Sequence, residues 1–203
     1  MAFETPADIV SYMIGRQVGD QLKTSQFPGF DVDGLFKGIK EALDNAEMPI
    51  SQDKIQEAYE VIQGELQKAK AAAEAKSKED GEAFLAENAK KEGVKVTATG
   101  LQYEVITEGS GAKPTRESTV RTHYHGTFVD GRVFDSSVER GQPAEFPVGG
   151  VIAGWTEALQ MMSVGSKWRL FVPYDLAYGE QGSQGAIPPF CTLVFEVELL
   201  AVI

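Results

Sequence analysis

From Ser51 to Glu92 the chain runs without a proline, and Gly93 then supplies a stop. Such a stretch leaves few folds open. It predicts a single helix about 60 Å long, at a rise of roughly 1.5 Å per residue. Ser51 is the candidate N-cap. The first part carries Ile55, Tyr59, Ile62, Leu66, Ala69 and Ala73 at alternating steps of four and three, the spacing of a coiled-coil seam. The second part, AEAKSKEDGE, is polar all round and reads as a helix bridging solvent between domains. Gly64 and Gly81 weaken the helix locally, each by about 1 kcal/mol relative to alanine.

Two shorter helices are expected upstream. Residues 5–25 place Ile9, Tyr12, Met13, Val18 and Leu22 at helical spacing, and QFPGFD then breaks the pattern. Asp33 is the candidate N-cap of a helix carrying Leu35, Phe36, Ile39 and Leu43. These helices bury little on their own, and Phe27, Phe30, Phe36 and the 55–73 seam have no obvious partner nearby. A second copy of the chain is the economical answer, so residues 1–50 read as a helical dimerisation region. Residues 51–93 are the connecting helix, whose first part also packs in that region.

From about residue 94 the grammar changes. LQYEVI, TVRTHYHGTF, KWRLFVP and TLVFEVELLAV alternate like strands, with turn signals at EGSG and VDGRVF and a single helix near 154–163. The fold class is α+β. The net charge of −11 disfavours nucleic acid and acidic membrane surfaces as partners. The lone Cys191 allows no internal disulfide. No apolar run reaches about 18 residues, so no membrane span is expected. Glu4 and Asp8 stand where a secretory signal would be cationic, and the expected location is the cytoplasm.

The available chemistry is narrow. Ser136 and Ser137 lack a G-x-S-x-G elbow, and no phosphate-cradling glycine loop occurs. His123 and His125 share one face of a strand without carboxylate or thiol neighbours, so neither a metal nor a cofactor is expected. What the β half has in excess is aromatic and aliphatic side chains beside turns: Tyr124, Phe134, Phe146, Val151, Ile152, Trp155, Tyr178, Ile187 and Phe195. Phe146 and Phe195, on strands, suit a plain core as readily as a pocket wall. Trp155 and Tyr178, beside glycines, do not.

The blocks HYHGTFVDGRVFDSS, FPVGGVIAGWTEAL and VPYDLAYGEQGSQGAIPPFCTLVFEVELL, in that order, resemble the FK506-binding protein (FKBP) family of peptidyl-prolyl isomerases. The layout of helices ahead of them, with ENAKKEGV at the junction, resembles the bacterial Mip/FklB-type members, which are homodimers joined through N-terminal helices. The resemblance implies a five- or six-stranded antiparallel sheet curled around a short helix over residues 94–203. It implies Tyr124, Phe134, Asp135 and Tyr178 as catalytic. Phe146, Val151, Ile152, Trp155, Ile187 and Phe195 would bind substrate, with Trp155 as the floor. Asp135 would pair with Arg140, and the Ile152 N–H and Tyr178 hydroxyl would orient the substrate.

The implied partners are proline-containing and unfolded polypeptides, with macrolides such as tacrolimus or rapamycin as inhibitors. The helical half would add chaperone-like client binding. Two positions depart from the family pattern: a phenylalanine is replaced by Ala144, and a flap histidine by Ser183. These bear on substrate preference and macrolide affinity. The rival reading is a non-catalytic docking module of the same fold.

Overall fold

A computed structural model describes residues 3–23, 25–183 and 185–203. The chain divides between Lys70 and Ala71 into two compact units, and the division falls inside a helix.

The first unit is helical. Helix α1 (Pro6–Leu22) opens with a capping box: Thr5 Oγ1 accepts from the Asp8 N–H, and the Asp8 carboxylate accepts from the Thr5 N–H at 3.1 Å. Pro6 costs nothing there, because the first-turn N–H groups have no helical acceptor. Helix α2 (Val32–Leu43) is capped by Asp31, which accepts from the Asp33 N–H at 3.0 Å. The expected cap, Asp33, instead lies in the first turn, where its charge meets the positive end of the helix dipole. Neither helix has a buried residue. Phe36 is 62% exposed, Leu43 77% and Tyr59 63%. Ile55 and Ile62 of the long helix are half-buried.

That helix, α3, runs Gln52–Asn88. It starts where expected, with the Ser51 carbonyl accepting from Ile55 N at 3.1 Å. It ends four residues before Glu92, and Gly93, at φ +85°, turns the chain toward the first strand.

The second unit holds the rest of α3, seven strands and helix α4 (Ala153–Met161). The strands are β1 (Val94–Val96), β2 (Gln102–Thr107), β3 (Thr119–Phe128), β4 (Val133–Ser136), β5 (Ala144–Pro147), β6 (Lys167–Val172) and β7 (Leu193–Val202). All pairings are antiparallel, in the order β1-β2-β6-β7-β3-β4, with β5 also on β3. One edge of β3 is taken by β7 along its length. The other is shared, residues 119–122 with β5 and 125–127 with β4. The short β1, β4 and β5 carry too few alternations to stand out in the sequence.

Alternation sends Val120, Tyr124, Trp168, Leu170, Val172, Phe195, Val197 and Leu199 to one face, where Trp155, Ala158 and Leu159 of α4 close the core. The opposite face is charged: Arg169 bridges Glu104 at 3.1 Å and Glu196 at 2.7 Å, and Lys167 meets Glu196 at 3.1 Å.

The polar segment 74–82 does not bridge solvent. It lies in the second unit and docks there through Ser77, Gly81, Phe84 and Asn88, one face at steps of four, three and four. Gly81 is buried because a Cβ there would lie 2.5 Å from Thr192 Oγ1. Phe84 packs on Phe171, with ring centres 6.0 Å apart. Asn88 donates to Gln102 Oε1 at 3.0 Å, and Gln102 Nε2 donates to the Leu85 carbonyl at 2.9 Å. The contact is made by a serine, a glycine, one phenylalanine and a pair of amides, a set with a single apolar ring that hydrophobic periodicity does not register.

A second glycine sets how closely α4 lies on the sheet. A Cβ at Gly154 would meet Val172 Cγ1 at 2.6 Å, and Val172 is fully buried. Helix propensity alone would make Gly154→Ala stabilising by about 1 kcal/mol, whereas overpacking a dense core costs about 1–3 kcal/mol. Overpacking should win. Tryptophan fluorescence reports only the second unit, since both tryptophans are there, and the urea midpoint followed this way should fall. A rise would mean that α4 has room to spare.

Candidate active site

A cavity of about 300 Å³ opens between α4 and the sheet. Each surrounding element contributes. Tyr124 comes from β3, Phe134 and Asp135 from β4, Phe146 from β5, and Phe195 from β7. Gly150, Val151 and Ile152 come from the turn before α4, and Trp155 from its first turn. Tyr178 comes from the loop after β6.

Trp155, 4% exposed, is ringed by aromatics that meet it edge-on. Its ring centre is 5.4 Å from Tyr124, 5.8 Å from Phe146 and 5.3 Å from Phe195, at interplanar angles of 82°, 84° and 81°. Phe134 stands perpendicular to Phe195 at 5.5 Å. Edge-to-face contact puts the positive rim of one ring on the negative face of another, which fixes the rings as well as burying them. Gly126 makes the arrangement possible: a Cβ there would be 2.7 Å from Phe134 Cζ and 3.1 Å from Phe195 Cε1.

The turn into α4 is tied by Thr156 Oγ1, which donates to the Val148 carbonyl at 2.7 Å. The Ile152 carbonyl accepts from the N–H groups of Trp155 and Thr156 at 3.0 Å each, while its own N–H precedes the helix and lies outside the helix's bonds.

The polar edge of the cavity is a three-membered network. The Tyr124 hydroxyl donates to Asp135 Oδ2, Arg140 Nη1 donates to Asp135 Oδ1, and Arg140 Nη2 donates to the Tyr124 oxygen at 2.9 Å. The sequence anticipates the Asp135–Arg140 pair but not the tyrosine that joins it. Burial pulls the Asp135 carboxyl up, but the bonds from Tyr124 and Arg140 outweigh it and hold the group below the ordinary carboxylate value. Burial first, then the bond to Asp135, pushes the Tyr124 phenol up. Burial and the Asp135 charge push Tyr178 up as well. Tyr178 is 40% exposed, and its hydroxyl makes no hydrogen bond among the described residues.

One expected substrate-binding residue lies elsewhere. Ile187 does not line the cavity; it is 6% exposed and packed in the core. The loop explains this: Ser183 N donates to the Ile187 carbonyl at 2.9 Å and Ile187 N to the Ser183 carbonyl at 3.1 Å, a tight turn that directs the side chain inward. Gly150 also lines the cavity, and its bare backbone leaves no side-chain signal in the sequence. Ala144 is half-buried against the core at the start of β5. His123 and His125 lie opposite Tyr124 on β3 and reach the Ser137 and Ser136 hydroxyls at 3.1 and 3.0 Å. Among the described residues, no three His, Cys, Asp or Glu side chains gather as a metal site.

Known proteins are similar to this chain in sequence and in fold. Residues 110–200 match the family model of the FKBP-type peptidyl-prolyl cis-trans isomerase, and residues 7–105 match that of the domain amino terminal to it. The FKBP-type 22 kDa peptidyl-prolyl cis-trans isomerase of Escherichia coli is 49% identical over 201 residues, covering 99% of this chain and 98% of that protein. The outer membrane protein MIP of Legionella longbeachae is 41% identical, over 98% of this chain and 86% of its own length. The crystal structure of FkpA from Escherichia coli matches with a TM-score of 0.73 at 34% identity, covering 99% of this chain and 98% of that one. With family models on both halves and relatives matched along almost their full length, the chain belongs to the two-domain bacterial FKBP-type peptidyl-prolyl cis-trans isomerases.

Proposed function

We propose that an X–Pro segment of a folding polypeptide enters this cavity and that its peptide bond is twisted over the Trp155 indole. The observation that carries the reading is the lining: aromatic rings edge-on to Trp155 on three sides, an unengaged hydroxyl at Tyr178, and no serine, threonine, cysteine or lysine among the described lining residues. The reaction needs no nucleophile, because no bond is made or broken. The barrier of about 18–20 kcal/mol comes from amide resonance. Resonance also separates charge, and the twisted amide has lost much of that separation. An apolar, water-poor cavity therefore favours the twisted form relative to water. The Tyr178 hydroxyl and the Ile152 N–H donate to the substrate's carbonyls. Tyr124, Phe134 and Asp135 shape the side where the X-residue carbonyl turns, with Asp135 acting as a fixed charge rather than a base. Macrolides such as rapamycin or tacrolimus would occupy the same space.

The refolding of a protein limited by proline isomerisation tests this reading. Catalytic amounts of the chain should accelerate the slow phase, and rapamycin should abolish the acceleration. A folded chain that gives no acceleration would make the cavity a docking surface.

The pH profile tests the mechanism. The Asp135 carboxyl is depressed, so its contribution is complete above 3.8 and is lost as pH falls through its lower folded value. Tyr124 is raised, so its protonated form persists up to and beyond 10.0. Catalysis without a titrating acid or base should therefore give a flat kcat/KM from about pH 5 to about pH 9. A bell inside that window would assign proton transfer to a group in the site.

The exposed faces of the first unit support a second part of the proposal: a homodimer through the N-terminal helices that holds unfolded clients near the cavity. Exposed Phe36, Leu43 and Tyr59 supply the apolar surface. Because residues 71–88 belong to the second unit, deletion should stop at Lys70. Removing residues 1–70 should convert the dimer to a monomer in sedimentation. Proline-peptide activity should be unchanged, while catalysis of protein refolding should fall about tenfold or more through lost effective concentration. Equal losses on both substrates would remove the client-holding role.

A further inference from the structure

The loop that carries Tyr178 is braced by α3. Between β6 and β7 the chain runs from Pro173 to Thr192, with Tyr178 at the cavity. Elsewhere this loop rests on the docked end of the helix. Ser77 Oγ donates to the Phe190 carbonyl at 3.3 Å. Lys78 Nζ sits 5.8 Å from the Tyr174 ring centre and 6.0 Å from that of Phe190, at the outer reach of a cation–π contact. The two rings meet at 5.3 Å and 63°. Gly81 lies directly against Thr192.

The same residues hold the backbone around Tyr178. Phe190 N donates to the carbonyl of Gly179, the next residue after Tyr178, at 3.1 Å. The Tyr174 carbonyl accepts from Ala177 N at 3.1 Å and from Gly179 N at 2.7 Å. Residues 177–179 are thus held between Tyr174 and Phe190, and those two rings meet edge-on beneath Lys78.

Phe190 adopts φ +56°, a left-handed conformation that suits glycine and strains a bulky side chain. Strain of this kind persists where the surroundings over-determine the residue, and it clusters at functional sites. Here the ring contacts and the two backbone bonds do the determining. Glycine would satisfy the backbone better, but it would provide no ring to join helix to loop.

We propose that Phe190, clamped by Ser77 and Lys78 of α3, is a positioning residue that holds Tyr178 at the mouth of the cavity, so that α3 sets how well the site engages substrate. This rests on the isomerase reading of the cavity given above. It assigns the docked part of α3 a role in the reaction although it contributes no residue to the cavity lining.

Phe190→Gly in the full-length chain separates positioning from simple support. It removes the ring and relieves the backbone, so the urea midpoint should hold. The kcat/KM for a proline tetrapeptide should fall about fivefold, chiefly through KM, the factor expected for one displaced substrate hydrogen bond. In a Tyr178→Phe background the same change should cost less than about twofold, because the hydroxyl it positions is gone. Equal losses in both backgrounds, or a midpoint that falls in step with activity, would overturn the proposal. Should Phe190→Gly fail to fold, the double substitution Ser77→Ala with Lys78→Ala carries the same cycle from the helix side.

Hydrogen exchange supplies a readout independent of turnover. In the Ser77→Ala, Lys78→Ala chain the amides of Ala177, Gly179 and Phe190 should exchange about tenfold faster than in the parent. Unchanged exchange would overturn the brace whatever the activity. A parent without isomerase activity but with this acceleration would support the brace and remove the isomerase reading instead.

Discussion

The structure depends on one close approach. Residue 154 has no side chain, so α4 can lie against Val172, and Trp155, the next residue, is carried into the ring of aromatics. The same device recurs on the sheet. Gly126 leaves room for Phe134 and Phe195 to cross over β3. The cavity is thus defined by two positions where nothing is placed. Larger residues at either would displace rings whose mutual angles make the lining rigid, and densely packed interiors transmit such shifts with little relaxation.

Charge is distributed with similar economy. The acidic and basic side chains of β6 and their partners on β2 and β7 are gathered on the face opposite the cavity, where Arg169 spans Glu104 and Glu196. These groups are half-buried and still partly screened by solvent, so the pairs contribute modestly to stability. The one charged pair at the cavity, Asp135 with Arg140, is joined by a phenol that donates to one and accepts from the other. A carboxylate bonded on both oxygens is a poor base and a well-fixed charge. That suits an amide rotation, which requires orientation and no proton transfer.

Much of this was legible in the sequence, and the exceptions share a cause. The long strands and the helix after Ile152 follow from periodicity and turn residues, whereas the gathering of the aromatic residues around one cavity follows from the family resemblance. Ile187 has the right composition and lies near Tyr178 in sequence, but the Ser183–Ile187 bonds turn it into the core. A local turn cannot be read from side-chain type alone. The caps show the same limit. Asp33 has the right residue type for an N-cap, but Asp31, two residues earlier, takes that place, and the backbone geometry that puts its carboxylate on the Asp33 N–H leaves no mark in the sequence. Gly81 is the clearest case. Propensity marks it as a weak point of α3, yet its missing Cβ is what lets the helix seat on Thr192.

The two units draw their stability from different sources. The second has a closed core in which Leu101, Leu159, Leu170, Leu193 and Leu199 are fully buried. The first has no buried residue in α1 or α2, and the apolar face of α2 remains in water. Three helices with so little burial fall short of the entropy lost in ordering them. The capping box of α1 adds about 1 kcal/mol at most sites of its kind, which does not close the gap. Surface buried against a second copy, as proposed above, would supply the missing term. If the proposed second copy supplies it, the folding of the first unit is tied to protomer concentration while that of the second is not. The isomerase unit would then stay folded at dilutions where the helical unit has lost its partner, and the chain would carry a catalytic half of fixed stability beside a client-holding half whose presence depends on assembly.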